Sequence, residues 1–378
     1  MFRITLPLKY STEARIIAVV LLIKLLIFTW AVFSFNFASN PNEDWISIWD
    51  RWDSGSYKAI ATSAYLLTNT KLEDWAFHSH FPPLYPALIY LVSLFGFTIP
   101  FSGVLVSFIS NILASLMLYK LAFYEFKDKQ IAFSSVLFLN LYPTSYFAVS
   151  VYSESLFLFL TISSFYYLRK ENYFTAGLFA FGSILTRIVG VVLVPIYFLY
   201  FIYNYYQNRK FNFQLFYLCL LPILAVVIYM GINKFYYDDY LFFLNEKISF
   251  NTTKHLIVPF KESYDDLIAT FKFNNYKNQE FMMTRGWNAI FTFSTLLIII
   301  LGIKRMRWEY ALFSIASLFL FASLSWGISN ARYAFAIFPI FMILGSFKNK
   351  LLQGGVMGIF LVMLLYFTVI FTSGSWAF

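Results

Sequence analysis

Apolar runs long enough to form membrane-crossing helices recur along the whole chain, separated by short polar turns. A run of about 18 or more apolar residues with few charges is expected to cross a bilayer as a helix. The first, RIIAVVLLIKLLIFTWAVFSFN, covers 15–36. Others follow at about 103–124, 131–150, 155–169, 172–187, 189–206, 212–233, 286–303, 308–324, 332–347 and 351–371. The segment 82–97, PPLYPALIYLVSLFGF, is apolar but short and opens on prolines. A re-entrant or interfacial helix suits it better than a full crossing. No Pro/Gly-rich linker and no internal repeat divides the runs, so residues 1–378 are expected to form a single membrane domain. The predicted fold class is an all-α polytopic membrane protein with about eleven transmembrane helices plus the re-entrant or interfacial one.

Charge placement orients this layout. With the N-terminus cytoplasmic, the turns KDKQ (127–130), RKEN (169–172), NRK (208–210), KRMR (304–307) and KNK (348–350) all face the cytoplasm, and all are basic. This is the positive-inside pattern. A full crossing at 82–97 would put every one of them outside. The C-terminus is then extracytoplasmic, as are two large segments, 37–102 and 234–285. Arg3, Lys9 and Arg15 precede the first run, which is too long for a signal-peptide core, so an uncleaved first span is expected.

Composition agrees with a membrane protein, cell-membrane residence being expected. The 378 residues are 60% hydrophobic and only 12% charged, against about a quarter in soluble domains. The net charge of +9 resides in the basic turns, which leaves no patch for nucleic acid. Cys219, the single cysteine, lies in an apolar run and can form no intramolecular disulfide. His78, His80 and His255 do not make a zinc set. Walker, Rossmann and HExxH patterns are absent, so soluble nucleotide chemistry has no footing.

Several charged residues stand out against this background. NEDWISIWDRWDSGSYKAIA (42–61) sets four carboxylates, Glu43, Asp44, Asp50 and Asp53, among Trp45, Trp49 and Trp52. In a helix, the three-residue spacing would put Asp50 and Asp53 on one side. The stretch reads either as a solvated turn with headgroup-level tryptophans, or as a general base among indoles suited to sugar or lipid. Glu154 is the sole acid between 129 and 170; it either caps the following helix or pairs with a cation. Arg187 and Arg332, near the outer face, could bind a phosphate or an acidic loop residue. Lys24, inside the first span, either snorkels or pairs with a carboxylate. Asp50, Asp53 and Glu154 could hold a divalent cation, though carboxylates alone do not require one; no metal ligands are assigned. Asn251-Thr252-Thr253 matches a glycosylation sequon.

Five segments together resemble the PIG-V-type integral-membrane mannosyltransferases, which add the second mannose in GPI-anchor synthesis and have prokaryotic relatives. They are RWDSGSYKAIATSAY (51–65), HFPPLYPALIYL (80–91), NLYPTSYFAVSVYSESLF (140–157), DDYLFFLNEKISF (238–250) and ARYAFAIFPIF (331–341). The resemblance implies a GT-C fold with an extracytoplasmic active site. It also implies a polyprenyl- or dolichyl-phosphate sugar donor, commonly carrying mannose, and a glycolipid or glycan acceptor. The Arg-Trp-Asp match assigns the base to Asp53, with Asp50 as the nearby alternative. Arg187 and Arg332 are the candidates for the donor phosphate, and Trp52, Tyr57, His80, Tyr85 and Glu154 for substrate contact. A transporter or flippase of lipid-linked intermediates is the alternative reading; it would more often show internal repeats.

Overall fold

The structure, a computed structural model, describes residues 11–37, 40–66, 72–209, 212–244, 257–272, 274–323 and 327–378. The sequon at Asn251 and the end of the DDYLFFLNEKISF segment lie outside the described residues. Within them the chain is helical, with no strand. Helix α1 (Thr12–Ser34) is followed by the shorter α2 (Ser54–Ser63), α3 (Leu72–Phe77) and α4 (Leu84–Ser93). Then come α5 (Ile99–Phe126), α6 (Lys129–Leu141), α7 (Glu154–Arg169), α8 (Tyr173–Thr186), α9 (Leu193–Asn208) and α10 (Phe213–Tyr237). The last third comprises α11 (Lys261–Lys272), α12 (Gln279–Phe281), α13 (Trp287–Gly302), α14 (Trp308–Ala322), α15 (Asn330–Phe335), α16 (Pro339–Gly345) and α17 (Lys350–Thr372).

Local sequence sets these boundaries. Thr98 caps α5 by accepting from the Phe101 N–H, and Lys127 ends that helix in a left-handed conformation. Asp128 then caps α6 through the Gln130 and Ile131 amides, so a two-residue turn reverses the chain. Asn172 and Asn349 cap α8 and α17 in the same way.

Six helical stretches are long and apolar enough to cross a membrane: Thr12–Ser34, Ile99–Phe126, Ile188–Asn208, Phe213–Tyr237, Gln279–Arg305 and Lys350–Thr372. They coincide with six of the eleven predicted spans. The other five fall on shorter helices. Two of those five are also broken. The run 131–150 is helical only to Leu141, before Pro143, and resumes as a 3-10 turn at Ser145–Val149; a proline disfavours helix at the residue before it. The run 332–347 is two short helices parted before Pro339. The expected short helix at 82–97 is α4, ten residues or about 15 Å long, well under a bilayer's thickness.

Helices α10, α8, α7, α5, α6 and α16 pack side by side in that order, with α13 against α16 and α15. From Ala334 to Gly345 every residue is buried, so α16 and the end of α15 run through the interior. Gly345 permits this passage. A Cβ there would lie 2.5 Å from Ser135 Oγ and 2.9 Å from the Ile131 carbonyl of α6. Lys24 neither snorkels nor takes a carboxylate. It is buried, and its Nζ donates to the Ser145 carbonyl at 3.2 Å, tying α1 to the turn that leads to Glu154.

Replacing Gly345 with valine should cost about 1–3 kcal/mol through this close contact and lower the thermal midpoint in detergent. Gly354→Ala, on α17 with nothing within 4 Å of the added carbon, should leave the midpoint unchanged or raise it. Equal midpoints for the two variants would show that α6 and α16 do not pack this closely.

Candidate active site

Four charges from distant parts of the sequence meet where α2, α7 and α15 begin and α8 ends. Arg332, in α15, donates to Asp53 Oδ2 at 2.8 Å, and its Nε lies 3.3 Å from Glu154 Oε1. Arg187, just after α8, donates to the same Glu154 oxygen at 2.5 Å and to Ser153 Oγ at 3.2 Å. The order is Asp53, Arg332, Glu154, Arg187, alternating in sign and neutral in sum. Glu154 is fully buried and Arg332 nearly so, whereas the Asp53 side chain keeps 18% of its surface open. Glu154 also opens α7, but no side chain caps that helix; the Glu154 carboxylate serves the two arginines.

Aromatic rings enclose this group. The Arg332 guanidinium lies 5.5, 5.3 and 5.6 Å from the ring centres of Phe147, Tyr152 and Tyr333, within cation–π range. Ring faces on several sides keep water from the guanidinium, which strengthens its attraction to both carboxylates. Tyr57 is buried with its hydroxyl 2.7 Å from Ser153 Oγ. Burial pushes its phenol well above the ordinary tyrosine range, so it stays protonated.

Backbone ties fix the segment carrying Asp53. The Val151 N–H donates to the Trp49 carbonyl at 3.3 Å, Ser54 Oγ to the Val151 carbonyl at 3.2 Å, and Tyr152 Oη to the Arg51 carbonyl at 3.2 Å. Arg51 itself pairs with Glu43 at 2.6 Å and donates to the Thr372 carbonyl at 2.8 Å, which draws in the end of α17.

The remaining sequence candidates are placed as follows. Asp50 is held by Lys58 in a separate ion pair. Trp52 has a left-handed backbone (φ 50°), is half exposed, and meets Trp376 edge-on at 5.0 Å. Tyr85 is fully buried, its hydroxyl bonded to the Gly103 carbonyl and Ser107 Oγ of α5, and its ring supports Tyr57 at 4.8 Å. His80 packs on Phe77, with Nδ1 3.0 Å from the Phe77 carbonyl, and connects to the site through Phe81, whose ring meets Tyr57 at 4.9 Å. Asp50 is drawn to Lys58, while Asp53 and Glu154 both turn toward Arg332. Among the described residues no group of three or more potential ligands comes together, so these three do not fit a shared divalent ion.

A second acidic site adjoins the approach to Arg332. Glu262 on α11 accepts the Gly327 N–H at 3.1 Å, one turn ahead of Asn330. Asp266 lies one turn along the same helix, 3.5 Å from Arg285. Burial, then the Asp266 charge, raises the Glu262 carboxyl from its ordinary 4.5 to about 7; burial raises Asp266 to about 6.

The sequence model described as mannosyltransferase (PIG-V) matches residues 49–249, more than half of the chain. The chain belongs to the PIG-V mannosyltransferase family. The match includes every sequence candidate except Arg332. GPI mannosyltransferase 2 of Yarrowia lipolytica (strain CLIB 122 / E 150) is 30% identical to this PIG-V member over 172 residues, 46% of this chain and 45% of that one. The aligned stretch thus spans about half the length of the relative. Among solved structures, ArnT from Cupriavidus metallidurans bound to undecaprenyl phosphate superposes with a TM-score of 0.56 at 13% identity, covering 92% of this chain and 63% of ArnT. The Archaeoglobus fulgidus oligosaccharyltransferase gives 0.48 at 13% identity, covering 96% of this chain and 53% of that one. The likeness to ArnT shows the fold, which is the GT-C fold expected from the resemblance.

Sequence reading picked out the four charges one by one but not their pairing. It also missed Tyr152, Phe147 and Tyr333 as the enclosure of Arg332. Tyr152 sits in the matched Tyr-Ser-Glu segment, where a signal existed; Trp376 had none.

Two outcomes are expected. Arg332→Met leaves the buried Glu154 with Arg187 alone and the part-exposed Asp53 with no cation, and should cost about 3–5 kcal/mol. Adding Glu154→Gln should restore part of the lost thermal midpoint in detergent, whereas strictly additive losses would show that the pair is uncoupled. For Glu262 and Asp266, the folded state retains protons that the unfolded chain releases, so stability falls as pH rises from about 4.5 toward about 7 and then levels. Glu262→Gln should flatten that fall in midpoints measured from pH 5 to 8; an unchanged slope would rule out Glu262 as its source.

Proposed function

We propose that this chain is a polyprenyl-phosphate-sugar-dependent glycosyltransferase that moves mannose to a hydroxyl of a glycolipid or glycan on the extracytoplasmic side. Membership of the PIG-V family supports the reaction class and favours transfer over flipping. The ArnT structure that shares the fold was captured with undecaprenyl phosphate, and a lipid phosphate of this kind suits a helical bundle with buried arginines. One observation carries the site assignment: the alternating chain of charges ends at Asp53, its open carboxylate.

In this reading Asp53 is the general base. Its carboxylate takes the proton from the acceptor hydroxyl as that oxygen bonds to the anomeric carbon. The bond from that carbon to the phosphate oxygen breaks, and the electron pair leaves with the lipid phosphate. A single displacement inverts the anomeric centre. Arg332 positions Asp53, while Arg187 and Arg332 offer N–H donors to the departing phosphate. The half-exposed Trp52, steadied by Trp376, supplies an apolar face for a sugar ring or lipid. Tyr57 and Tyr85 act from behind by holding Ser153 and α5, and His80 by packing through Phe81.

The proposed topology has eleven crossings, the N-terminus inside and the C-terminus outside. It is supported by the polarity of α7, which begins at the buried Glu154 and ends at Arg169 and Lys170, in a basic turn.

Purified protein incubated with radiolabelled polyprenyl-phosphate mannose and a lipid extract should transfer label to the extract. Asp53→Asn should reduce transfer by about 10²–10⁴-fold, the range for losing a general base, with folding in detergent retained. Asp50→Asn should cost less than about tenfold. Full turnover in the Asp53 variant would remove it as base, and donor crossing without transfer would make the protein a transporter.

A further inference from the structure

The opposite end of the bundle carries a cavity of about 430 Å³ between the start of α1, the end of α5, the start of α6 and the end of α7. It is remote from the Asp53 group. On α7, Glu154 and Lys170 are sixteen residues apart, about 24 Å along a helix. On α5, Ser107 supports Tyr85 near one end, and Phe123 lines this cavity near the other.

Four lysines, Lys120, Lys127, Lys129 and Lys170, line the cavity, with Glu13 as the single carboxylate among its lining residues. Among the described residues none of the four ammonium groups has a carboxylate partner. Of the acids nearby, Glu125 pairs with Arg169 and Asp128 caps α6, while Glu171, which follows Lys170, is not among the lining residues. Lys127 and Lys170 crowd one ring, lying 4.2 and 4.4 Å from the centre of Tyr124. Two like charges so close repel, and the ring's quadrupole offsets only part of that repulsion. Attraction to the carboxyl ends of α5 and α7 accounts for Lys127 and Lys170. It does not account for Lys129 in the first turn of α6, where a cation is disfavoured, nor for Lys120 inside α5. The cavity therefore has an unbalanced positive charge, apolar and tyrosine walls, and a place at the ends of helices apolar enough to span a bilayer.

The geometry points to a binding site for the phosphate headgroup of an anionic membrane lipid. The lysines hold the phosphate oxygens, and the acyl chains run along the exposed apolar stripe of α5 at Phe123, Leu113 and Ile109, on the same helix face as the lining residues Leu116 and Lys120. Basic pockets between membrane helices on the cytoplasmic side are suited to such headgroups. A soluble phosphate would use the lysines but not the apolar face, so lipid is the occupant to which the site commits.

The test uses the delipidated full chain in neutral detergent and its thermal midpoint. Dioleoyl phosphatidylglycerol should raise the midpoint by about 2–4 °C and dioleoyl phosphatidylcholine should not. In Lys127→Gln/Lys170→Gln the rise should be lost, whereas Lys304→Gln/Lys348→Gln, which removes two charges elsewhere, should keep it. The same rise with pyrophosphate alone, a rise with both lipids, or equal behaviour of the two double variants would each overturn the proposal. Should the cavity variant fail to fold, native mass spectrometry of the unmodified protein from equimolar mixed micelles decides. Preferential retention of phosphatidylglycerol supports the site, and equal retention of both lipids rejects it.

Discussion

Arg332 bridges Asp53 and Glu154, and much of the molecule is arranged around the cost of burying those charges. An isolated ion in a low-dielectric interior is disfavoured by several kcal/mol, and a pair repays this only when geometry and hydrogen bonding are good. The four members come from the first loop, the start of α7, the end of α8 and α15. The full network forms only when all four segments are in place, so it specifies how the loops close over the helix ends. Supporting bonds follow the same route: Lys24 fixes the Ser145 turn, Ser153 meets both Arg187 and Tyr57, and Arg51 reaches Thr372.

This balance also bears on the chemistry. A neutral cluster has no surplus charge with which to bind a phosphate, yet each guanidinium carries five N–H donors, more than its carboxylates take up. In the proposed mechanism an incoming lipid phosphate would share the arginines with Glu154 and Asp53 instead of displacing them. Asp53, at the open end, has one side toward Arg332 and the other toward solvent, which is where an acceptor hydroxyl would approach. Asp50 lacks that position, because Lys58 holds it in a pair of its own.

Much of the site was legible because charge is scarce in this chain. Asp53, Glu154, Arg187 and Arg332 stand out as ionisable residues beside long apolar runs, and the cost of such groups marks them as candidates. Their pairing was not legible, since Asp53 and Arg332 are far apart in sequence and no periodicity relates them. Lys24 shows the same limit: the sequence left snorkelling and a carboxylate partner open, and its actual partner, a backbone carbonyl, has no signature in sequence. The fold followed a similar division. Helix starts at Thr98, Asp128, Asn172 and Asn349 rest on local capping chemistry and could be read locally. The breaks at Pro143 and Pro339 were also written in the chain, but an apolar window averages over a single proline and registers one continuous run.

Hydropathy also answers a narrower question than whether a helix touches lipid. Helix α7 and the stretch through α16 are apolar, and their residues are buried among other helices on nearly every side. Helices α1 and α17 are more apolar than α7 and leave many large side chains exposed, including Leu22, Phe33, Ile359 and Val362. The first pair is apolar because it is inside a protein, the second because it faces a membrane. A run of Leu, Phe and Ile satisfies both demands alike. The distinguishing residues are the small ones: Gly345 lets α16 approach the α6 backbone, and Gly177 in α8 lets that helix approach α10, where a Cβ would lie 2.7 Å from the Tyr217 carbonyl. Small residues at such contacts mark helices that pack on protein, and here they lie on the elements that hold the charged site in register.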